Sequence, residues 1–171
     1  MIVGTSTAPA YPYISSDFIY NQGSFTTLTT DFGISGINNS NNLVGGSQSG
    51  LAFFLSNSQS QIQYLGNGTA RGINDNGVIV GYDGTHGFIV NNGSYTLFDE
   101  PNAASYYGFQ VTDANGINNN GEIVGIYSDA LGNIHAFIDN NGVFTDFNIA
   151  GAHDNQFGRD KRQRPTGRQL Y

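Results

Sequence analysis

The chain has 171 residues, with 24 Gly, 12 Phe, 10 Tyr, 4 Pro and neither Cys nor Trp, which is long enough to bury a core and excludes disulfide and thiolate chemistry. Before residue 159 it carries one base, Arg71, against twelve acids, a balance that repels phosphate backbones and argues against nucleic acid as a partner. No run approaches the roughly 18 apolar residues of a membrane span.

Taken in order, the residues repeat. Val-Gly occurs at Val3-Gly4, Val44-Gly45, Val80-Gly81 and Val124-Gly125, with spacings of 41, 36 and 44 residues. Gly-Ile-Asn occurs at Gly36, Gly72 and Gly116, and a Phe-centred strand at Phe18, Phe53, Phe88 and Phe137. A period near forty with several strands in each unit predicts an all-β fold, a β-propeller of four-stranded antiparallel blades. About four repeats fit one domain over 1–158, near 1–30, 31–66, 67–105 and 106–152. The array is then four-bladed, or incomplete or five-bladed, and an open array predicts a homo-oligomer.

The N-terminal unit begins at its second strand, residues 1–4, and continues through Ser16–Tyr20 and Ser24–Leu28. The unit after it is degenerate, with Ser40-Asn41-Asn42 at its first turn. The next reads Arg71–Asn74, Val78–Tyr82, His86–Val90 and Ser94–Phe98 as strands. The last reads Asn115–Asn118, Glu122–Tyr127, His135–Asp139 and Val143–Phe147. Asn-Gly pairs between strands predict type I′ hairpins, in which both central residues take positive φ. A missing first strand for the N-terminal unit is expected near 151–157, although His153 to Phe157 does not repeat Gly-Ile-Asn. Residues 159–171 hold five of the six bases and match no repeat, so they read as a basic tail, disordered or foreign to the domain.

The run Gly-Ile-Asn-Asn-x-Gly-x-Ile-Val-Gly-x-Tyr, followed by Asp129, Gly132 and His135-Ala-Phe137, resembles the HAF-repeat family of bacterial exported proteins. The unit at 72–88 is similar with a shorter loop and Gly87 for Ala, while Leu51 and Ser16 replace the His in the first two units. The resemblance implies an extracellular or periplasmic location, although no signal peptide is visible in this chain. It implies no particular chemistry, because the family is defined by its repeats.

Two functional classes follow from the residues. The first is a calcium-dependent hydrolase of small esters or lactones. Oxygen donors at Asn38, Asn74, Asp75, Asn118 and Asp129 suit Ca²⁺, and His135, His153 or Asp154 would activate water. The same Asn and Asp residues suit turns, because they accept left-handed backbone and cap N–H groups, and that role is favoured. His86 and His135 recur beside Asp83 and Asp129, so a loop-locking hydrogen bond is favoured over catalysis. The second class is a non-catalytic exported module that binds a ligand or glycan. Tyr11, Tyr13, Tyr106 and Tyr107, on the two longest loops, would be its contact residues.

Overall fold

The computed structural model describes residues 2–7, 15–21, 24–28, 32–57, 61–105 and 111–147, with side chains from residue 33 onward. Among these residues there is no helix, and so none long and apolar enough to cross a membrane. The described residues form fifteen strands in four antiparallel sheets, in chain order. Sheet I contains β1 (Ile2–Thr7), β2 (Ser15–Asn21) and β3 (Ser24–Leu28). Sheet II contains β4 (Phe32–Ile37), β5 (Leu43–Ser47), β6 (Leu51–Leu55) and β7 (Gln63–Asn67). Sheet III contains β8 (Thr69–Ile73), β9 (Ile79–Tyr82), β10 (Gly87–Asn91) and β11 (Ser94–Phe98). Sheet IV contains β12 (Thr112–Ile117), β13 (Ile123–Ser128), β14 (Ile134–Asn140) and β15 (Val143–Phe147). Each is a meander whose strands pair in sequence order, as the repeats predict.

The repeated dipeptide Val-Gly has a physical cause in the register. The glycine faces the repeated phenylalanine across the second and third strands of sheets II to IV, and across β1 and β2 of sheet I: Gly4↔Phe18, Gly45↔Phe53, Gly81↔Phe88 and Gly125↔Phe137. In sheets II to IV the Phe ring lies over the glycine. A methyl group at Gly81 would lie 2.5 Å from Phe88 Cζ and collide with the Thr69 carbonyl oxygen. At Gly125 the nearest ring atom would be Phe137 Cζ at 2.6 Å. Phe53, Phe88 and Phe137 are thereby almost wholly buried. The adjacent valine points to the opposite face, because successive side chains alternate across a strand.

That alternation stacks the sheets. Leu43 and Phe53 join a cluster on one face of sheet II, whereas Val44 joins Ala70, Ile73, Ile79 and Phe88 of sheet III. Val80, on the other face of sheet III, packs with Ala114, Ile123 and Phe137 of sheet IV. Each repeat thus presents its Phe backward and its Val forward, and buries neither face alone.

The first strand of each full sheet carries a bulge, where the register shifts between Ile34 and Gly36, Ala70 and Gly72, and Ala114 and Gly116. The glycine following each bulge allows the first strands of neighbouring sheets to approach closely. A methyl at Gly36 would lie 3.4 Å from Gly72 Cα, and one at Gly72 would lie 3.1 Å from Gly116 Cα. The first two residues of Gly-Ile-Asn are therefore a close-packing glycine and an apolar residue beside or within the inter-sheet core.

The turns divide into two kinds. At β10–β11 and β14–β15, Asn92-Gly93 and Asn141-Gly142 both have positive φ, as a type I′ hairpin requires. At the first turn of each full sheet only the last residue does, namely Asn41, Gly77 and Gly121, with φ of 61°, 78° and 87°. Asn76-Gly77 and Asn120-Gly121 therefore depart from the expected type I′ form. The Gly77 N–H donates to the Asn74 carbonyl and the Asn74 N–H to the Val78 carbonyl, giving a longer turn closed by one left-handed residue. Asn takes that place at position 41 because it tolerates φ > 0 better than other non-glycine residues.

Candidate functional site

The first turns lie side by side and are bonded from repeat to repeat. Asn38 Nδ2 donates to the Asn74 main-chain oxygen at 3.1 Å, and Asn74 Nδ2 donates to that of Asn118 at 3.0 Å. The side-chain oxygens turn inward on their own loops. Asn38 Oδ1 accepts the Ser40 and Asn42 N–H groups, Asn74 Oδ1 that of Val78, and Asn118 Oδ1 those of Asn120 and Glu122. Asp75 accepts the Asn39 N–H at 2.9 Å and two amide side chains, Asn39 and Asn119, at 2.7 Å each. The Asn39 main-chain N–H, then the Asn119 amide, holds its carboxyl below the usual carboxylate range. The third residue of Gly-Ile-Asn is thus an inter-repeat tie. Four of the oxygen donors the sequence offers to a cation, at Asn38, Asn74, Asp75 and Asn118, are brought to one end of the molecule, and each already accepts N–H donors.

The fifth, Asp129, lies at the other end, in the β13–β14 loop. Its Oδ1 accepts the Leu131 and Asn133 N–H groups at 2.8 Å each, and its Oδ2 accepts Asn133 Nδ2 at 2.9 Å. His135 Nε2 pairs with that same Oδ2 at 3.1 Å, and the ring stacks on Tyr127 with centroids 4.9 Å apart. Bonds from Asn133 and then His135 hold the Asp129 carboxyl well below the usual carboxylate range. Tyr127 donates its hydroxyl to Asp146, and burial, followed by the adjacent Asp146 carboxylate, pushes the phenol up to about 12. His135 thus lies within a locked loop, as its recurrence suggests.

His86 differs. Asp83 Oδ1 accepts the main-chain N–H groups of Thr85 and His86, but the imidazole turns away and pairs through Nδ1 with Asp99 at 2.8 Å. The expected Asp83–His86 side-chain pair is therefore replaced by one that fastens β10 to the start of the long loop after β11. The shorter loop allows this, because Asp83 lies only three residues before His86 and is used up in capping the turn.

Both stems of that long loop meet at one residue. The Ala104 N–H donates to the Ser128 carbonyl at 2.9 Å, and the Ser128 N–H donates to the Val111 carbonyl at 3.0 Å. Glu100, only 2% exposed, accepts the Asn102 N–H at 2.6 Å and the Asn102 side chain at 3.2 Å, which closes the turn at the loop's start. Ser128 Oγ is buried and has no hydrogen-bond partner among the described residues. Tyr106 and Tyr107 belong to the segment between these stems. They lie outside the described residues, as do Tyr11, Tyr13, His153, Asp154 and the basic tail.

Sequence reasoning missed Glu100, Ser128 and the Arg71–Asp113 ion pair, in which Arg71 Nε and Nη2 reach Asp113 at 3.3 and 2.8 Å across sheets III and IV. None recurs in the other repeats, so periodicity carries no signal for them. Among the described residues, no three His, Asp or Glu side chains gather round a common point. Comparison of the chain with protein-family models, with curated proteins and with solved structures finds no match.

Proposed function

We propose that this chain is a non-catalytic binding module, a β-propeller of HAF-repeat blades that engages a ligand or glycan through its long-loop end, outside the cell or in the periplasm. One observation carries the reading: each described carboxylate and both described histidines already hold a hydrogen bond within or between repeats. Among the described residues, every carboxylate and histidine thus has a structural partner. The clamped base of the 99–111 loop supports the location, since it anchors the two stems that flank Tyr106 and Tyr107, and loops with closed bases commonly carry recognition. Tyrosine suits such a role by offering a stacking face and a hydroxyl together. The stacking of the sheets and the alignment of their first strands support the propeller arrangement.

The competing calcium hydrolase would need a cation to displace N–H donors from Asn38, Asn74, Asp75, Asn118 or Asp129. Two measurements on the folded protein separate the readings. A panel of esters and acyl lactones, with calcium and after EDTA, is expected to show no turnover. A glycan array is expected to show binding that Tyr106→Ala or Tyr107→Ala removes and His135→Ala retains. Turnover abolished by chelation and by His135→Ala would reverse the conclusion in favour of the hydrolase.

A further inference from the structure

Asparagine followed by glycine is a chemically fragile pair, because a glycine nitrogen with no side chain beside it has open access to the asparagine Cγ. The sequence holds six such pairs: Asn67-Gly68, Asn76-Gly77, Asn92-Gly93, Asn115-Gly116, Asn120-Gly121 and Asn141-Gly142. The fold treats them unequally. The Gly68 N–H donates to the Gly50 carbonyl at 2.7 Å, and those of Gly77 and Gly121 donate to the Asn74 and Asn118 carbonyls at 3.1 Å each. The Gly142 N–H donates to Asp139 Oδ1 at 2.6 Å, and the Asn141 amide is itself tied to Asn140 at 3.0 Å. Asn115-Gly116 lies within β12. Asn92-Gly93 is exposed, a side chain at Gly93 would meet open space, and the Gly93 N–H has no acceptor among the described residues. The residue two places before the asparagine sets the two type I′ hairpins apart. It is Asp139 in sheet IV, whereas in sheet III it is Val90, which packs into the core.

We infer that Asn92 is a self-modification site, converting through a succinimide to aspartate and isoaspartate while the other five pairs persist. The Gly93 nitrogen loses its proton to solvent base and bonds to Asn92 Cγ. The bond from Cγ to the side-chain nitrogen then breaks, and that nitrogen takes up a proton and leaves as ammonia. Water opens the ring at either carbonyl, giving aspartate or isoaspartate with no change of oxidation state. In the other turns a bonded N–H must first be freed, and the Asp139 carboxylate also opposes the anion that attack on Asn141 requires. Isoaspartate adds a backbone atom to a two-residue turn, which then no longer matches the Asn91↔Ser94 pairing. The strand this loosens, β11, carries Tyr95, whose ring stacks on Phe88 at 4.8 Å and whose hydroxyl donates to the Asn67 carbonyl at 3.1 Å. None of this chemistry depends on a binding role for the long loop.

The folded, full-length chain is held in mildly alkaline buffer, and digestion with mass spectrometry at intervals quantifies the acid formed at each Asn-Gly pair. Asn92 is expected to convert about tenfold faster than Asn76, Asn120 or Asn141, the effect of one hydrogen bond that need not be broken. Asp139→Val, which copies Val90, frees the Gly142 N–H. It is expected to raise the Asn141 rate about tenfold and leave Asn92 unchanged. Equal rates at Asn92 and Asn141 in the parent overturn the proposal, as does an Asn141 rate that Asp139→Val leaves unmoved in a folded variant. If Asp139→Val unfolds, every pair accelerates together, Asn67 and Asn76 included, and the ranking in the parent decides by itself.

Discussion

The glycine of each Val-Gly pair is held by two constraints at once, the Phe ring above it and the carbonyl of the neighbouring first strand beside it. Gly81→Ala forces a methyl between Phe88 and the Thr69 carbonyl, neither of which can retreat in a packed sheet. The substitution is expected to destabilise the protein by about 3 kcal/mol in urea unfolding, the upper end for overpacked cores. Gly93→Ala, in open space at φ 79°, tests backbone strain alone and is expected to cost about 1 kcal/mol. Asp129 supplies a prediction in pH. Its carboxyl is depressed in the folded state by Asn133 and His135, so the stability it contributes is present above the pKa of the unfolded carboxyl and is lost as pH falls toward the folded value. Asp129→Asn is therefore expected to flatten the decline in thermal midpoint below about pH 4 while lowering the midpoint at neutral pH. A variant that retains the full acid-side slope would show that Asp129 is not the titrating group.

The first turns of sheets II and III each do two jobs, closing their own hairpin with a side-chain oxygen and tying the next repeat with a side-chain amide. Asn74 shows both, since it is nearly buried, accepts the Val78 N–H and donates to the Asn118 carbonyl. Replacing it with Ala leaves an N–H and a carbonyl without their partners, and an expected loss of about 2 kcal/mol follows. Asn74→Asp keeps the acceptor and removes the donor, so it is expected to fall between Ala and the parent. An Asn74→Asp variant as stable as the parent would mean that the tie between repeats contributes nothing. The Asn119–Asp75–Asn39 bonds run parallel to this tie, which makes the turns a continuous seam across sheets II, III and IV.

In the stack as a whole, sheet III has described core packing on both faces, through Phe88 toward sheet II and Val80 toward sheet IV. In arrays stabilised by neighbour contacts the interior unit opens last. Native-state hydrogen exchange is accordingly expected to be slowest at the amides of Val80 and Gly81 and faster at the equivalent Val124 and Gly125. Equal protection of β9 and β13 would contradict this order. The strands, the meander and the type I′ hairpins at Asn92-Gly93 and Asn141-Gly142 were legible from the residues alone, whereas Asn76-Gly77 and Asn120-Gly121, with the same dipeptide, form a different turn. The recurring Val-Gly and Phe of the sequence correspond to one Gly–Phe register repeated in each sheet. Tertiary structure decided what those residues are for. Whether Asn74 offers its oxygen to a cation or its amide to a neighbour depends on how closely the next turn lies. Whether His86 pairs with Asp83 or Asp99 depends on the pairing of β10 with β11, which brings Asp99 beside the imidazole. Glu100, Ser128 and the Arg71–Asp113 pair escaped the sequence because contacts between distant positions, made once and not repeated, leave no periodic trace.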